Sequence, residues 1–103
     1  MPVNRAALEQ LRHALPDLVF LGTSSWTYPG WHDVVYHRTY PKTGASARML
    51  EEYAGFPLFR TVGIDSTFYR PPSENTLRQY ARYLPPDFPC CSKVWDQITV
   101  HTH

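Results

Sequence analysis

The stretch LVFLGTSSWTYPGW, residues 18–31, joins a short apolar run to a segment rich in hydroxyl and aromatic side chains. The run Leu18–Leu21 predicts a buried β-strand. Hydrogen-bonding side chains mixed with aromatic rings just after a strand are typical of a pocket lining, because a core does not need them. The same order recurs where the apolar run 59–64 is followed by Asp-Ser-Thr-Phe-Tyr, residues 65–69. Both segments therefore predict a ligand site built at strand ends.

Helices alternate with strands along the rest of the chain. The predicted elements are a helix capped by Asn4 and ended by Pro16, a strand at 18–21, a helix at 46–54, a strand at 59–64, a helix capped by Ser73 and ended by Pro85, a strand at 88–94 and an open loop at 96–103. This alternation favours an α/β fold whose parallel strands are joined by right-handed crossovers. The carboxyl ends of such strands meet on one face, and functional groups of parallel α/β folds lie there.

Three motifs in this order resemble the YecE-like family, the domain of unknown function 72. They are GTSSWTYPGW at 22–31, TVGIDSTFYRPPS at 61–73 and SKVWDQIT at 92–99. The resemblance implies a TIM-barrel-like fold and no established activity. A closed eight-stranded barrel takes roughly 250 residues. We therefore expect residues 1–17 to form a helical lead-in and 18–103 to form the N-terminal part of that fold, about three strands and three helices, truncated after strand three.

The second motif departs from the family pattern. Many members have Val-Glu-Ile-Asn where this chain has Val62-Gly-Ile-Asp65. If the glutamate acts in catalysis in those relatives, Gly63 cannot replace it. The aspartate also puts a carboxylate where the relatives have a neutral amide.

Asp65 and Lys93 are the candidate catalytic residues. Asp65 follows an apolar strand and is suited to acid/base chemistry or ligand anchoring, with a turn-forming aspartate as the equal alternative. Lys93 lies in the apolar run 90–95, where an unpaired buried ammonium is costly. It is therefore expected to pair with a carboxylate such as Asp65, to bind an anion, or to extend to the surface. We predict that the two side chains face one polar cavity.

The candidate ligand-binding residues are hydroxyl and aromatic side chains of the first two motifs. They are Thr23, Ser24, Trp26, Tyr28, Trp31, Thr67, Phe68 and Tyr69. Such rings can stack on a sugar or a nucleobase, and packing within the loops is the alternative. A small polar or anionic ligand, such as a phosphorylated or carboxylated sugar, is the predicted partner.

The charge balance disfavours nucleic-acid and membrane partners. The 103 residues hold ten Lys and Arg against nine Asp and Glu, a net charge of +1. Binding to DNA or to anionic lipid calls for a basic patch, which is not evident. No apolar stretch approaches the roughly 20 residues that span a bilayer. A cytoplasmic protein is therefore expected.

Neither the cysteines nor the histidines predict a metal site. Cys90 and Cys91 are adjacent, and neighbours on a strand point to opposite faces, so a disulfide between them is disfavoured. They are predicted to be small buried side chains, with a reactive thiol as the alternative. His101 and His103 alone are a poor ligand set for zinc, although His32 and His37 of the first loop could in principle complete it. The sequence identifies no cofactor.

The leading functional hypothesis is a small-molecule enzyme site at the carboxyl ends of the strands. The alternatives are a non-catalytic ligand-binding or interaction protein and a non-functional gene fragment, since this fold type hosts many chemistries. Three parallel strands alone would leave two free edges. They would also leave an apolar inner face without an opposite wall, carried by Val19, Leu21, Val62, Ile64 and Val94. Self-association is therefore expected.

Overall fold

The computed structural model describes residues 3–99, which form one three-stranded sheet with helices around it. In chain order the elements are α1 (Arg5–Ala14), β1 (Gly22–Ser24), a 3₁₀ turn (Pro29–Trp31), α2 (Ser46–Ala54), β2 (Thr61–Ile64), α3 (Ser66–Tyr69), α4 (Glu74–Tyr83), β3 (Cys90–Ser92) and α5 (Asp96–Thr99). The sequence predicts α1, α2, α4 and the three strands, but not the short helices α3 and α5.

The sheet has the order β1-β2-β3, and both strand pairs are parallel. This confirms the arrangement that the alternation of helices and strands predicts. Thr23 pairs with Val62, and Ile64 pairs with Ser92, so β2 and β3 end at the same edge. Within residues 3–99 the sheet is open, and the fold is a mixed α/β unit with a partial β/α pattern.

The longer helices begin and end where local sequence rules place them. The side-chain oxygen of Asn4 accepts a hydrogen bond from the backbone N–H of Ala7 at 3.1 Å, capping α1. The hydroxyl of Ser73 does the same for Thr76 at 3.1 Å, capping α4. Helix α2 has the predicted bounds, and Gly55 is its C-cap. These capping bonds satisfy backbone donors that the first turn of a helix leaves without a partner.

Strand β1 begins four residues later and ends three residues later than the sequence predicts. The predicted strand Leu18–Leu21 is not part of the sheet, and the side chain of Leu18 is 94% exposed. The N–H of Val19 donates to the carbonyl of Pro16, so the start of the run is held in a turn. The strand is formed instead by Gly-Thr-Ser at 22–24. Thr23 and Ser24 therefore lie within the strand and not beyond its end.

The core lies between β2 and the helices. Val62 and Ile64 share one face of β2, because alternate residues of a strand point the same way, and both are buried. They pack with Leu50 and Tyr53 of α2, and Tyr80 of α4 lies against the same cluster. The prediction that Val62 and Ile64 lack an opposite wall is therefore wrong.

The opposite face of the sheet carries small residues. Gly22, Ser24, Gly63 and Cys91 share it by register and alternation. An exposed apolar face of the sheet is thus not a reason for self-association. The outer edges of β1 and β3 are unpaired within residues 3–99, so association through strand edges stays a prediction.

The C-terminal region differs from expectation in two ways. Cys90 and Cys91 are free, as predicted, but both are exposed and not buried, because all three residues of β3 are exposed. Residues 96–99 form a helical turn where the sequence predicts an open loop. The predicted continuation of that loop, 100–103, lies outside the described residues.

Candidate functional site

The side chains of Asp65 and Lys93 meet at the carboxyl edge of the sheet. Asp65 directly follows β2 and Lys93 directly follows β3. Because these parallel strands end together, Lys93 Nζ lies 3.7 Å from Asp65 Oδ1. The side chains are 60% exposed for Lys93 and 38% exposed for Asp65. The pair is therefore an open ion pair at the surface, accessible to a small ligand.

Thr67 fixes the backbone beneath this ion pair. Its hydroxyl lies 2.5 Å from the carbonyl oxygen of Lys93 and 3.1 Å from that of Ile64. The N–H of Lys93 also donates to the carbonyl of Ile64 at 3.3 Å. Thr67 is buried. The sequence analysis expects Thr67 to contact a ligand. In the structure its hydroxyl instead joins the ends of β2 and β3.

Two aromatic residues of α3 flank the pair. The ammonium of Lys93 lies 5.8 Å from the ring centroid of Phe68, within the range of a cation–π contact. Phe68 meets Tyr69 edge-on at 5.2 Å between centroids. Tyr69 is 76% exposed. We call Asp65, Lys93, Phe68 and Tyr69 the strand-end cluster.

The two tryptophans of the first motif support the core. Trp26 is buried, and its indole N–H donates to the carbonyl of Ser46 at 2.8 Å. Trp31 stacks near the rings of Tyr36 and Tyr53. Among residues 3–99, no ring contact joins either tryptophan to Phe68 or Tyr69. The structure therefore does not bring these tryptophans into the strand-end cluster.

Thr23, Ser24 and Tyr28 also make bonds within the fold. The hydroxyl of Tyr53 accepts from the N–H of Thr23 and donates to the carbonyl of Thr61, both at 2.9 Å, so it bridges β1 and β2. Tyr28 donates its hydroxyl to the carbonyl of Ser24 at 2.9 Å and packs on Trp31. Tyr28 nevertheless remains partly exposed.

A cavity of about 470 Å³ lies beside the long loop between β1 and α2. We call it the loop cavity. It is lined by residues between 27 and 49, including Tyr28, Tyr36, Arg38, Tyr40, Lys42 and Ser46. Asp65 and Lys93 are not part of its lining. Of these residues, sequence reasoning selects only Tyr28, although two cations that alternate with Tyr36 and Tyr40 in a long loop, Arg38 and Lys42, are a detectable signal.

Glu52 of α2 holds one wall of the loop cavity in place. Its carboxylate accepts the N–H of His37 at 2.7 Å, the hydroxyl of Tyr40 at 2.9 Å and the N–H of Arg38 at 3.4 Å. Burial alone would raise the pKa of Glu52, but the donors from His37, Tyr40 and Arg38 outweigh it and lower that pKa. The carboxylate is therefore charged at neutral pH and anchors the loop to the helix.

Glu52→Gln is expected to destabilise the fold by about 1 kcal/mol at pH 7, because hydrogen bonds to a charged acceptor are replaced by weaker bonds to a neutral one. The loss is no larger because the carboxylate is partly exposed to solvent. The pKa of Glu52 is lower in the folded protein than in the unfolded chain, where a glutamate has a pKa of about 4.3. The charged carboxylate therefore stabilises the fold above about pH 4.3, and this stabilisation is lost as the pH falls. The difference between wild type and variant should therefore shrink below about pH 4. Urea unfolding at several pH values measures it.

Glu51→Gln is the matched control. Glu51 forms an ion pair with Arg38 at 2.8 Å, and both side chains are at least half exposed. Its loss should cost about 0–1 kcal/mol. Equal losses for the two variants, or a Glu52→Gln loss that persists in acid, would contradict the anchoring role.

Comparison with known proteins identifies the family. Residues 20–103 match the model of a family described as protein of unknown function DUF72. The chain belongs to the DUF72 family. Neither the curated proteins nor the solved structures contain a match. The resemblance drawn from the three motifs is thus confirmed, and the match carries no activity with it.

At Gly63 of this DUF72 chain, the strands β1 and β2 approach each other closely. A Cβ at this position would lie 3.3 Å from both Ser24 Cα and Thr23 O. That is tighter than ordinary van der Waals contact, so a larger side chain requires the strands to shift. The carboxylate at this edge belongs to Asp65, two residues further along the chain and just after the end of β2.

Residues 3–99 of the DUF72 chain hold neither a cluster of metal ligands nor a membrane-spanning helix. No group of three His, Cys, Asp or Glu side chains in this range could hold a metal ion. His32 lies 3.6 Å from Asp33, and both are exposed. His101 and His103 lie outside the described residues. None of the described helices has the length and apolar character to cross a membrane.

Proposed function

We propose that this DUF72 chain carries a binding site for a small polar anion, such as a sugar phosphate or a sugar acid, in its strand-end cluster. The supporting observation is the open ion pair of Asp65 and Lys93, 3.7 Å apart, at the carboxyl ends of adjacent parallel strands. In open α/β sheets, ligands bind outside the carboxyl ends of the strands. The position and the exposed cation together favour this site.

Lys93 is the anion-binding residue of the proposal. An exposed ion pair contributes only about 0–1 kcal/mol, so a ligand oxygen can displace Asp65 from the ammonium at little cost. Phe68 lies beside the ammonium, and the exposed ring of Tyr69 extends the apolar surface. Such a surface suits the carbon face of a sugar ring.

Asp65 is the candidate acid/base group if the bound ligand is a substrate. A carboxylate next to a bound polar molecule can accept a proton from a hydroxyl group within hydrogen-bond reach. Without turnover, the same geometry describes a ligand-binding module. Substitution of Asp65 separates these two roles, as described below.

We further propose that residues 18–103 are part of a TIM-barrel-like domain, with residues 1–17 as a helical lead-in. The parallel order β1-β2-β3 and the helices packed on one face support this. Parallel sheets ordinarily have both faces covered, whereas the face with Gly22 and Ser24 carries exposed residues. In a barrel, this face would be the interior.

Lys93→Met is expected to abolish stabilisation by the anionic ligand. A ligand at about ten times its dissociation constant stabilises the fold by about 1.4 kcal/mol, which raises the Tm of a domain this size by several degrees. Thermal melts with glucose 6-phosphate, gluconate and neutral glucose provide the measurement. Stabilisation by the two anions should disappear in Lys93→Met and persist in Lys42→Met. No stabilisation of the wild type by either anion, or stabilisation that survives Lys93→Met, would exclude the site.

Asp65→Asn should strengthen anion binding, whereas Lys93→Met should abolish it. Removing the carboxylate that competes for the ammonium should strengthen anion binding by up to about fivefold, the range of an exposed ion pair. If the protein is an enzyme, this variant keeps or gains affinity and loses turnover. A large loss of anion affinity in Asp65→Asn would show that the carboxylate is a ligand contact and not a competitor.

A further inference from the structure

The loop cavity has an aromatic floor and wall. Its volume of about 470 Å³ is within the roughly 300–1,000 Å³ of small-molecule sites. The rings of Tyr28, Tyr36 and Tyr40 line it together with Met49. Tyr36 and Tyr40 meet edge-on at 5.9 Å between centroids. These groups suit a flat apolar ring better than a fully hydroxylated ligand.

The charged side chains that line the loop cavity are cationic. Arg38 and Lys42 line it, and no aspartate or glutamate is among the described lining residues. Arg38 pairs with Glu51 at 2.8 Å, whereas no described carboxylate lies within ion-pair distance of Lys42. An uncompensated ammonium beside tyrosine rings favours a ligand that carries a negative charge.

The tyrosine hydroxyls add no negative charge of their own. Burial, with contributions from Tyr40, Tyr53 and Glu52, raises the pKa of Tyr36, whose hydroxyl donates to the carbonyl of Trp26. Burial and the hydrogen bond to Glu52 raise the pKa of Tyr40 to about 12. Both tyrosines are therefore neutral at physiological pH.

The cavity is held in its open shape by contacts outside it. Glu52 ties the backbone at His37 and Arg38 and the hydroxyl of Tyr40 to α2. The start of α2 forms part of the wall, because its N-cap Ala45 and its first residue Ser46 belong to the lining. A site fixed in this way needs little rearrangement to bind a ligand.

We propose that the loop cavity is a second, separate ligand site, which binds a small planar ring that carries a phosphate group. The ring lies against Tyr28, Tyr36 and Met49, and the phosphate contacts Lys42 and Arg38. Hydroxyl donors from Thr39 and Ser46 are in the same lining and can satisfy further phosphate oxygens. This proposal does not depend on the strand-end cluster, which shares none of these residues.

Phenyl phosphate is the probe that tests this second site. Phenol carries only its ring, and inorganic phosphate carries only its phosphate group. In an NMR titration of the full chain, phenyl phosphate at millimolar concentration should shift the backbone amides of Gly44 and Ser46. Phenol and inorganic phosphate should each bind at least about tenfold more weakly, since each lacks one half of the contacts. Inorganic phosphate binding as tightly as phenyl phosphate would overturn the ring assignment.

Lys42→Met and Lys93→Met form the matched pair of variants. Lys42→Met should weaken the binding of phenyl phosphate about tenfold, which is the loss expected for one charge-assisted hydrogen bond. Lys93→Met should leave the affinity measured from the Gly44 and Ser46 shifts within about twofold, since effects at distant, independent sites do not couple. No shift at Gly44 and Ser46, or equal effects of both variants, would overturn the second site. Tyr28→Leu gives an independent check, because it should reduce the preference for phenyl phosphate over inorganic phosphate.

Discussion

Trp26→Ala is expected to lower the free energy of unfolding by about 3–5 kcal/mol, the range for removal of a buried tryptophan ring. Trp26 is 4% exposed. It donates to the carbonyl of Ser46 at the start of α2 and meets Tyr80 of α4 edge-on at 5.4 Å. Its removal would open a cavity between the loop and two helices. Small domains have a total stability of only about 5–15 kcal/mol, so urea unfolding should show a large fall in the midpoint.

Trp95→Ala is the control for this experiment. Trp95 is 36% exposed, so its loss should cost less than that of Trp26, about 1 kcal/mol. Equal losses would mean that Trp26 is not a core residue of the folded chain. A folded Trp26→Ala protein that loses binding of sugar anions would support the ligand-binding role that the sequence predicts for this residue.

Features fixed by neighbouring residues were predictable from the sequence. The bounds of α2 follow from an apolar stripe that ends at Gly55, and the caps Asn4 and Ser73 act within three residues. Strand β1 was not predictable in this way. The apolar run Leu18–Leu21 has the composition of a strand, but the segment that pairs with β2 is the polar Gly-Thr-Ser after it. Pairing with a partner strand thus outweighed local propensity.

In the candidate site, too, features set by neighbouring elements were predictable and features set by distant residues were not. Asp65 and Lys93 could be placed together because the carboxyl ends of neighbouring parallel strands lie at one edge, and they are 3.7 Å apart. The roles of Trp26 and Trp31 could not be predicted, since burial of an aromatic ring depends on helices far along the chain. The loop cavity was missed for the same reason. Its wall is held by Glu52, which is separated from His37 by 15 residues in the sequence.

Gly22→Ala is expected to destabilise the fold by about 3 kcal/mol or more, at the upper end of overpacking effects. A Cβ at Gly22 would lie 2.0 Å from the carbonyl oxygen of Thr61 and 2.7 Å from its carbonyl carbon. Both atoms belong to the backbone of β2, so no side-chain rotation relieves the clash. The strands would have to separate, which would also strain the bridge that the Tyr53 hydroxyl makes between Thr23 and Thr61.

Gly30→Ala is the matched substitution, because no heavy atom lies within 4 Å of a Cβ at Gly30. It should change stability by no more than about 0.5 kcal/mol, as surface substitutions usually do. Urea unfolding of both variants, with hydrogen exchange at Thr23, compares the two sites directly. Because the N–H of Thr23 donates to the Tyr53 hydroxyl, which in turn donates to the carbonyl of Thr61, separation of the strands in Gly22→Ala should remove its protection and Gly30→Ala should preserve it. Similar stability and protection in both variants would show that β1 does not approach β2 closely enough to require glycine at position 22.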